Sequence, residues 1–369
     1  MILAVAAITL ASCSHSFEIK HHEGSAIGFG TWTETLTRAR TQGTSTFASG
    51  DDFAVYGYKA MSDDSNPQTV FGHDGTTDVV VSTDNGTTWT YTTPRFWDSN
   101  FDKYIFYAIS PSAIGLDGSV NPQSGAITSA AISFSGSNND ILVADKKQVD
   151  KGDAPYFSNY ATVPLVFNHV ASLVDFKVKK THGLANATVT VTAFELSNID
   201  SQGQLTVTDA YTETHPVASW TTPGTARSSY GPGDGVTPVS IASPITIDED
   251  TAFNPASPAT PAASTMIINN LVVMPQTFRA SNETNPQKIT LTYKIAVTGT
   301  ADVEYADCVI YLNQFDVEDD DYNSTATNFT GWEPGKHYTF FITLDAHKID
   351  FSATITDWTA VSGYHYLCN

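Results

Sequence analysis

Few residues in this 369-residue chain have types and spacing that could do chemistry, and the most specific group sits near its start. An apolar run from Met1 ends in Leu10-Ala11-Ser12-Cys13, small residues set directly before a cysteine. A signal peptidase needs small side chains at the bond it cuts, and the thiol behind that bond is the group that accepts a diacylglycerol. Cys13 is therefore the expected lipidation site and residues 1–12 the expected signal peptide; the other reading is an ordinary cysteine in a plain signal peptide. Signal peptides open on basic residues, whereas Met1 is followed by Ile2 and Leu3, so the true start is expected further upstream. No other apolar run reaches the roughly 18 residues that a spanning helix needs, which leaves lipid as the expected anchor.

The other candidates are weaker. Cys308 lies in a strand-like run and Cys368 near the last residue, and an exported chain permits a disulfide between them; two free thiols are the alternative. His21 and His22 have no further ligands nearby, and the acidic cluster Asp316, Glu318, Asp319, Asp320, Asp321 lacks the glycine and the terminal glutamate of a calcium loop, so no metal is expected at either. Neither a phosphate-cradling glycine loop, nor a Gly-x-Ser-x-Gly elbow, nor His-Glu-x-x-His occurs, and neither a cofactor nor catalysis is expected. The formal charge of −21, with no basic cluster, excludes nucleic acid as a partner and describes a self-repelling surface. Most of the six Trp are expected in the core, Trp97 and Trp332 among them; Trp89, which follows Asp84-Asn85-Gly86, is the best candidate for an exposed stacking platform, with a core position as its other reading.

The elements that would position these residues are strands. Thr, Ser, Val, Tyr and Phe are abundant and long Ala, Leu, Glu or Lys runs are missing, which is the bias of pleated, half-buried segments. Short β-rich runs recur at 78–82, 88–92, 103–109, 126–134 and 141–144, separated by Gly, Pro, Asn and Asp, and predict a sandwich or barrel. Period-two alternation is cleanest at Ala187 to Ala193, at Ile289 to Val297, and in a hairpin with arms Tyr338 to Leu344 and Ile349 to Ile355. Length suggests two domains. Residues 13–46 read as a polar linker or first strand, 47–163 as one β-domain and 164–369 as a second, with a long Pro- and Gly-rich loop over 223–263.

Several segments together resemble the fimbrillin family of Bacteroidetes surface lipoproteins. They are the lipobox at Cys13; Phe47 with Gly50-Asp51-Asp52-Phe53 and Val55-Tyr56-Gly57-Tyr58; Trp97 with Tyr104 to Pro111; and Asp140 to Ala144. Val163 to Ala171, Leu271 to Gln276 and Trp332 to Phe340 complete the set. The resemblance implies an all-β chain of two tandem transthyretin-like β-sandwich domains, carried as a lipoprotein through the periplasm to the cell outer membrane. It also implies assembly with other fimbrial subunits. In polymerising members an arginine-specific protease cuts beyond the lipid, freeing the first strand, and a neighbour's strand fills the vacated groove. Arg38 and Arg40 occupy the matching region here, and Ile349, Phe351, Ala353 and Ile355 form the candidate donor strand, whose other reading is a strand that never leaves its own sheet. A surface lipoprotein that captures glycan through exposed aromatic residues, without polymerising, is the competing expectation; the partner is then a host or glycan ligand.

Overall fold

The computed structural model describes residues 26–31, 47–72, 78–84, 88–114, 127–134, 140–152, 162–180, 184, 186–208, 217–222, 225–232, 245–247, 265–317, 329–344 and 349–357. Among them the chain is nearly all β, with no α-helix and a single-turn 3-10 element at Leu312–Gln314. No helix among the described residues is long and apolar enough to cross a membrane.

The first half contributes β1 (Gly28–Thr31), β2 (Asp52–Ala60), β3 (Gln68–Phe71), β4 (Val79–Asp84), β5 (Thr88–Thr90), β6 (Lys103–Ser110), β7 (Ile127–Ser133), β8 (Leu142–Ala144), β9 (Lys147–Asp150), β10 (Thr162–Leu165) and β11 (Phe167–His169). Its main sheet has the order β11-β8-β6-β2-β4-β5, with β3 beside β2 and β9 beside β6. Every residue of β6 is buried. A strand covered on both faces reads as an unbroken apolar run, which is why Tyr104 to Ile109 does not alternate. One face carries Phe53, Val55, Tyr104, Phe106 and Ala108 into a core that also holds Ile27, Phe29, Val163 and Leu165. The other face carries Tyr58, Ile105, Tyr107 and Ile109 into a separate core.

The second half contributes β12 (Ser172–Lys180), β13 (Ala187–Asp200), β14 (Gln202–Thr208), β15 (Val217–Thr221), β16 (Arg227–Tyr230), β17 (Ile245–Ile247), β18 (Thr265–Val273), β19 (Gln276–Thr277), β20 (Lys288–Val297), β21 (Val303–Tyr311), β22 (Asp316–Val317), β23 (Gly331–Trp332), β24 (Lys336–Leu344) and β25 (Ile349–Asp357). Two sheets, β18-β12-β24-β25-β22 and β16-β13-β20-β21, enclose its core. The alternation predicted from sequence is visible in the register. Val174, Phe176 and Val178 lie opposite Tyr338, Phe340 and Ile342 in the parallel pair β12 and β24, and the Phe176 and Phe340 rings stack at 4.7 Å. Val189, Val191 and Phe194 face the same core from β13, alongside Ile289, Leu291, Tyr293 and Ile295 of β20. The expected hairpin forms, with β24 and β25 paired from Lys336 opposite Asp357 to Leu344 opposite Ile349.

The halves are joined by more than a linker. β7 pairs antiparallel with β14, and Leu205, Val207 and Trp220 of the sheet β15-β14-β7 pack with the second face of the first-half sheet. The chain crosses between halves after β11, where Val170 N–H donates to Ile141 C=O at 3.0 Å and Gly335 N–H to Ala171 C=O at 2.8 Å. The long β-prone stretch read over Val163 to Val178 is thus three strands: β10 and β11 have partners in the first half, while β12 pairs only within the second.

Candidate functional site

The unusual element is β1. The polar stretch before Phe47 reads as a linker or first strand, and within it Ile27 is 1 % and Phe29 3 % exposed, both inside the first-half core. The sequence signal was only two apolar residues alternating with Gly28 and Gly30, too short a pattern for periodicity to register.

β1 lies parallel to β10, with Gly28, Phe29, Gly30 and Thr31 opposite Thr162, Val163, Pro164 and Leu165. On its other side Ile27 N–H donates to Arg95 C=O at 2.8 Å, Ile27 C=O accepts the Tyr91 hydroxyl at 2.5 Å, and Ala26 forms an antiparallel bridge with Phe96. Arg95 is itself fixed. Its Nε donates to Val70 C=O at 3.0 Å and its Nη2 meets the buried Asp78 carboxylate at 3.2 Å, whose other oxygen accepts Gly72 N–H at 2.6 Å. Burial raises the Tyr91 phenol pKa, so the group stays a neutral donor.

The side chains hold β1 more firmly than the backbone does. The Phe29 ring meets Phe53, Phe71, Tyr91 and Phe106 edge-on, at centroid distances of 6.2, 5.3, 6.0 and 5.8 Å. Full burial of Ile27 and Phe29 contributes about 1.5–3 kcal/mol each, and edge-on aromatic pairs roughly 0.5–1.5 kcal/mol more. Against this, the ladder is four residues long, parallel, contains two glycines, and faces Pro164, which has no N–H to give. β1 and Ile27 just before it thus place two apolar side chains in the core on a weakly paired strand.

Cys13, Arg38, Arg40 and Cys368 lie outside the described residues, as do His21, His22 and Glu318 to Asp321. Arg38 and Arg40 fall in the sequence between β1, which ends at Thr31, and Phe47, a buried residue whose ring packs on Trp89 and Phe167. Cys308 sits half-buried on β21 opposite Leu291, and burial, then the Asp307 carboxylate, raises its thiol pKa. Ile349, Phe351, Ala353 and Ile355 lie on β25 opposite Leu344, Ile342, Phe340 and Tyr338; β22 meets β25 only at Ser352 and Ala353. Among the described residues no three His, Cys, Asp or Glu side chains converge as metal ligands would.

Trp89 takes the core position and not the exposed one. It is 9 % exposed, with its ring against Phe47 and Phe53, because the β4 and β5 pair folds inward over the first-half core. Trp97 and Trp332 are buried, at 5 % and 3 %. Four of the segments that carried the resemblance, Asp140 to Ala144, Val163 to Ala171, Leu271 to Gln276 and Trp332 to Phe340, meet at the crossing between halves. Trp332 pairs with Gln276, Ser172 Oγ donates to Glu333 C=O at 2.8 Å, and His169 Nδ1 lies 2.7 Å from Asp140 Oδ2, both side chains buried.

The fold defines a class of multi-sheet, all-β proteins, which comparison with known families then narrows. The model of the fimbrillin-like family matches residues 37–358, so the chain belongs to that family. The match begins just past β1 and just before Arg38. Comparison with the curated proteins returns no match. Among solved structures, a fimbrial protein from Bacteroides vulgatus ATCC 8482 is 15 % identical, with 91 % of this chain and 100 % of that one covered and a TM-score of 0.47. A fimbrilin from Porphyromonas gingivalis W83 is 10 % identical, with 92 % and 99 % covered and a TM-score of 0.41.

Proposed function

We propose that this chain is a structural, adhesive subunit of cell-surface fimbriae, exported as a lipoprotein through Cys13 and assembled by protease-triggered strand exchange. Membership of the fimbrillin-like family supports the subunit role. The observation that carries the exchange step is β1: a strand upstream of Arg38 and Arg40 that supplies two core side chains through a weak backbone ladder. Once a cut after either arginine removes its covalent link to Phe47, β1 is held by non-covalent contacts alone. Its departure leaves the Arg95 carbonyl, the Tyr91 hydroxyl and an aromatic cavity without their partners, and a strand from a neighbouring subunit satisfies all three. The partners are then other fimbrial subunits, the location is the cell outer membrane, and the two halves act as tandem transthyretin-like sandwiches with no catalytic step of their own. Capture of glycan without polymerisation loses support from the burial of Trp89.

The test is to treat the purified full chain with an arginine-specific protease, locating cuts by mass spectrometry and following size by light scattering. A cut after Arg38 or Arg40 followed by detergent-resistant ladders is the expected result. A chain that is not cut there, or that stays monomeric once cut, overturns the reading.

A further inference from the structure

The chain has five arginines, Arg38, Arg40, Arg95, Arg227 and Arg279, and each marks a bond that an arginine-specific protease can cut. The two in the second half stand on backbone that invites a cut. Arg279 precedes an exposed turn of small and polar residues, 281–285, between β19 and β20. Arg227 opens β16, the outermost strand of its sheet among the described residues, and follows two exposed residues, Thr225 and Ala226. Exposed turns of this composition are where nicking concentrates, and an outer strand offers its backbone edge to an incoming chain.

Their side chains are withheld. Asp200, on β13 and directly opposite Arg227, holds both guanidiniums with one carboxylate: Oδ1 lies 3.3 Å from Arg227 Nε, and Oδ2 accepts Arg279 Nη1 at 2.8 Å. Arg279 is tied further, by Nη2 to the Asn198 carbonyl and by Nε to the Asn285 carbonyl, each at 2.8 Å. The carboxylate is buried at 9 % exposure, and a buried amide fixes its backbone. Asp200 N–H donates to Gln276 Oε1 at 3.0 Å, and Gln276 Nε2 donates to Asp200 C=O at 3.2 Å. Gln287 Nε2 in turn donates to Gln276 Oε1 at 3.2 Å. Arg95, in the first half, is bound in the same manner by the Asp78 carboxylate and the Val70 carbonyl.

We infer that Asp200 is a shield against misplaced cutting: it keeps two guanidiniums from a protease and so confines arginine-directed processing to the segment before Phe47. This rests on the protease-triggered reading above and adds what spares the rest of the chain. A protease of this preference draws the arginine side chain into a pocket that carries a carboxylate of its own. At Arg279 it must first take the guanidinium from three acceptors, and the charged one, Asp200, is the strongest of them. Cutting then tracks the small population in which the clamp is open. An asparagine at position 200 keeps the shape of the site and gives up the charge-assisted part of both bonds.

The experiment treats the full chain and its Asp200→Asn variant with an arginine-specific protease, and assigns and times every cut by mass spectrometry. Wild type should be cut after Arg38 or Arg40 alone. The variant should gain cuts after Arg279 and Arg227, on the order of tenfold to a hundredfold faster than in wild type. Arg95, which Asp200 does not hold, should stay uncut in both and so mark a body that is still folded. Wild type cut after Arg227 or Arg279 as fast as after Arg38 or Arg40, or a folded variant that gains no cut, overturns the shield and leaves the processing reading intact. Wild type left uncut after both Arg38 and Arg40 overturns that reading, and this inference with it. Should the variant unfold, with Arg95 cut as well, phenylglyoxal labelling of uncut wild type decides. Modification of Arg227 and Arg279 roughly tenfold slower than that of Arg38 and Arg40 upholds the shield, and equal modification overturns it.

Discussion

The hydroxyl of Tyr91 donates to the carbonyl oxygen of Ile27 at 2.5 Å, a bond between residues 64 positions apart that ties the first strand to the body on the side away from β10. Because Tyr91 OH also accepts Arg95 N–H at 3.3 Å, and Arg95 C=O accepts Ile27 N–H, the three residues form a closed clasp on the backbone of Ile27.

Tyr91→Phe opens that clasp without emptying the space. A hydrogen bond of this kind contributes about 0.5–1.5 kcal/mol, and a buried carbonyl left without its partner costs up to roughly 3 kcal/mol. The variant should unfold at lower denaturant by about 1–2 kcal/mol overall. Hydrogen exchange should locate the loss at Ile27 to Thr31 while β12 and β24 keep their protection.

Phe29→Ala removes the ring from among Phe53, Phe71 and Phe106. Truncation of a buried phenylalanine costs about 3–5 kcal/mol. Chemical denaturation of the uncut chain should report that loss. The same substitution made in a chain already cut and freed of β1 should change nothing, because the residue is then absent from the fold.

Gly335 sits at φ +70, and a Cβ there would come within 2.9 Å of the His169 carbonyl oxygen. Gly335→Ala adds left-handed backbone strain of roughly 1–3 kcal/mol at the crossing between the halves. Its thermal midpoint should fall, and the hydrogen bond from residue 335 N–H to Ala171 C=O should weaken in exchange experiments.

Alkali should unfold the protein in a defined window. Burial pushes the phenols of Tyr104 and Tyr230 up to about 12 and raises that of Tyr338 as well. Folded pKa values above the unfolded value near 10 mean that their contribution is complete below about pH 10. Between pH 10 and 12 the unfolded chain has shed protons that the folded chain keeps, so stability falls as pH rises. Each such phenol steepens the fall by up to about 1.4 kcal/mol per pH unit. Tyr230→Phe should flatten the slope measured by urea melts across this range, with tyrosinate absorbance appearing in step with unfolding.

Much of the fold was legible in the residues because alternation is a local property. Val189 and Val191 against Thr188 and Thr190, or Ile289, Leu291 and Tyr293 against Thr290 and Thr292, announce a strand with one buried face wherever it ends up. The signal cannot name the partner. That β12 runs parallel to β24, so that Phe176 stacks on Phe340 far along the chain, is decided by packing between distant segments. The same holds for β7, which leaves the first half to pair with β14.

The composition of this sequence determined by itself a β-rich, acidic chain, and its motifs determined the family it resembles. The tertiary structure decided what periodicity could not carry. Trp89 follows the polar sequence Asp84-Asn85-Gly86 yet is buried, because the sheet packs it onto Phe47 and Phe53. Two apolar residues among glycines, Ile27 and Phe29, look like linker until four aromatic rings from β2, β3, β6 and the chain after β5 close around one of them. A strand whose stability comes from a cavity built by other segments carries almost no signal of its own, because the free energy that fixes it belongs to residues elsewhere in the chain.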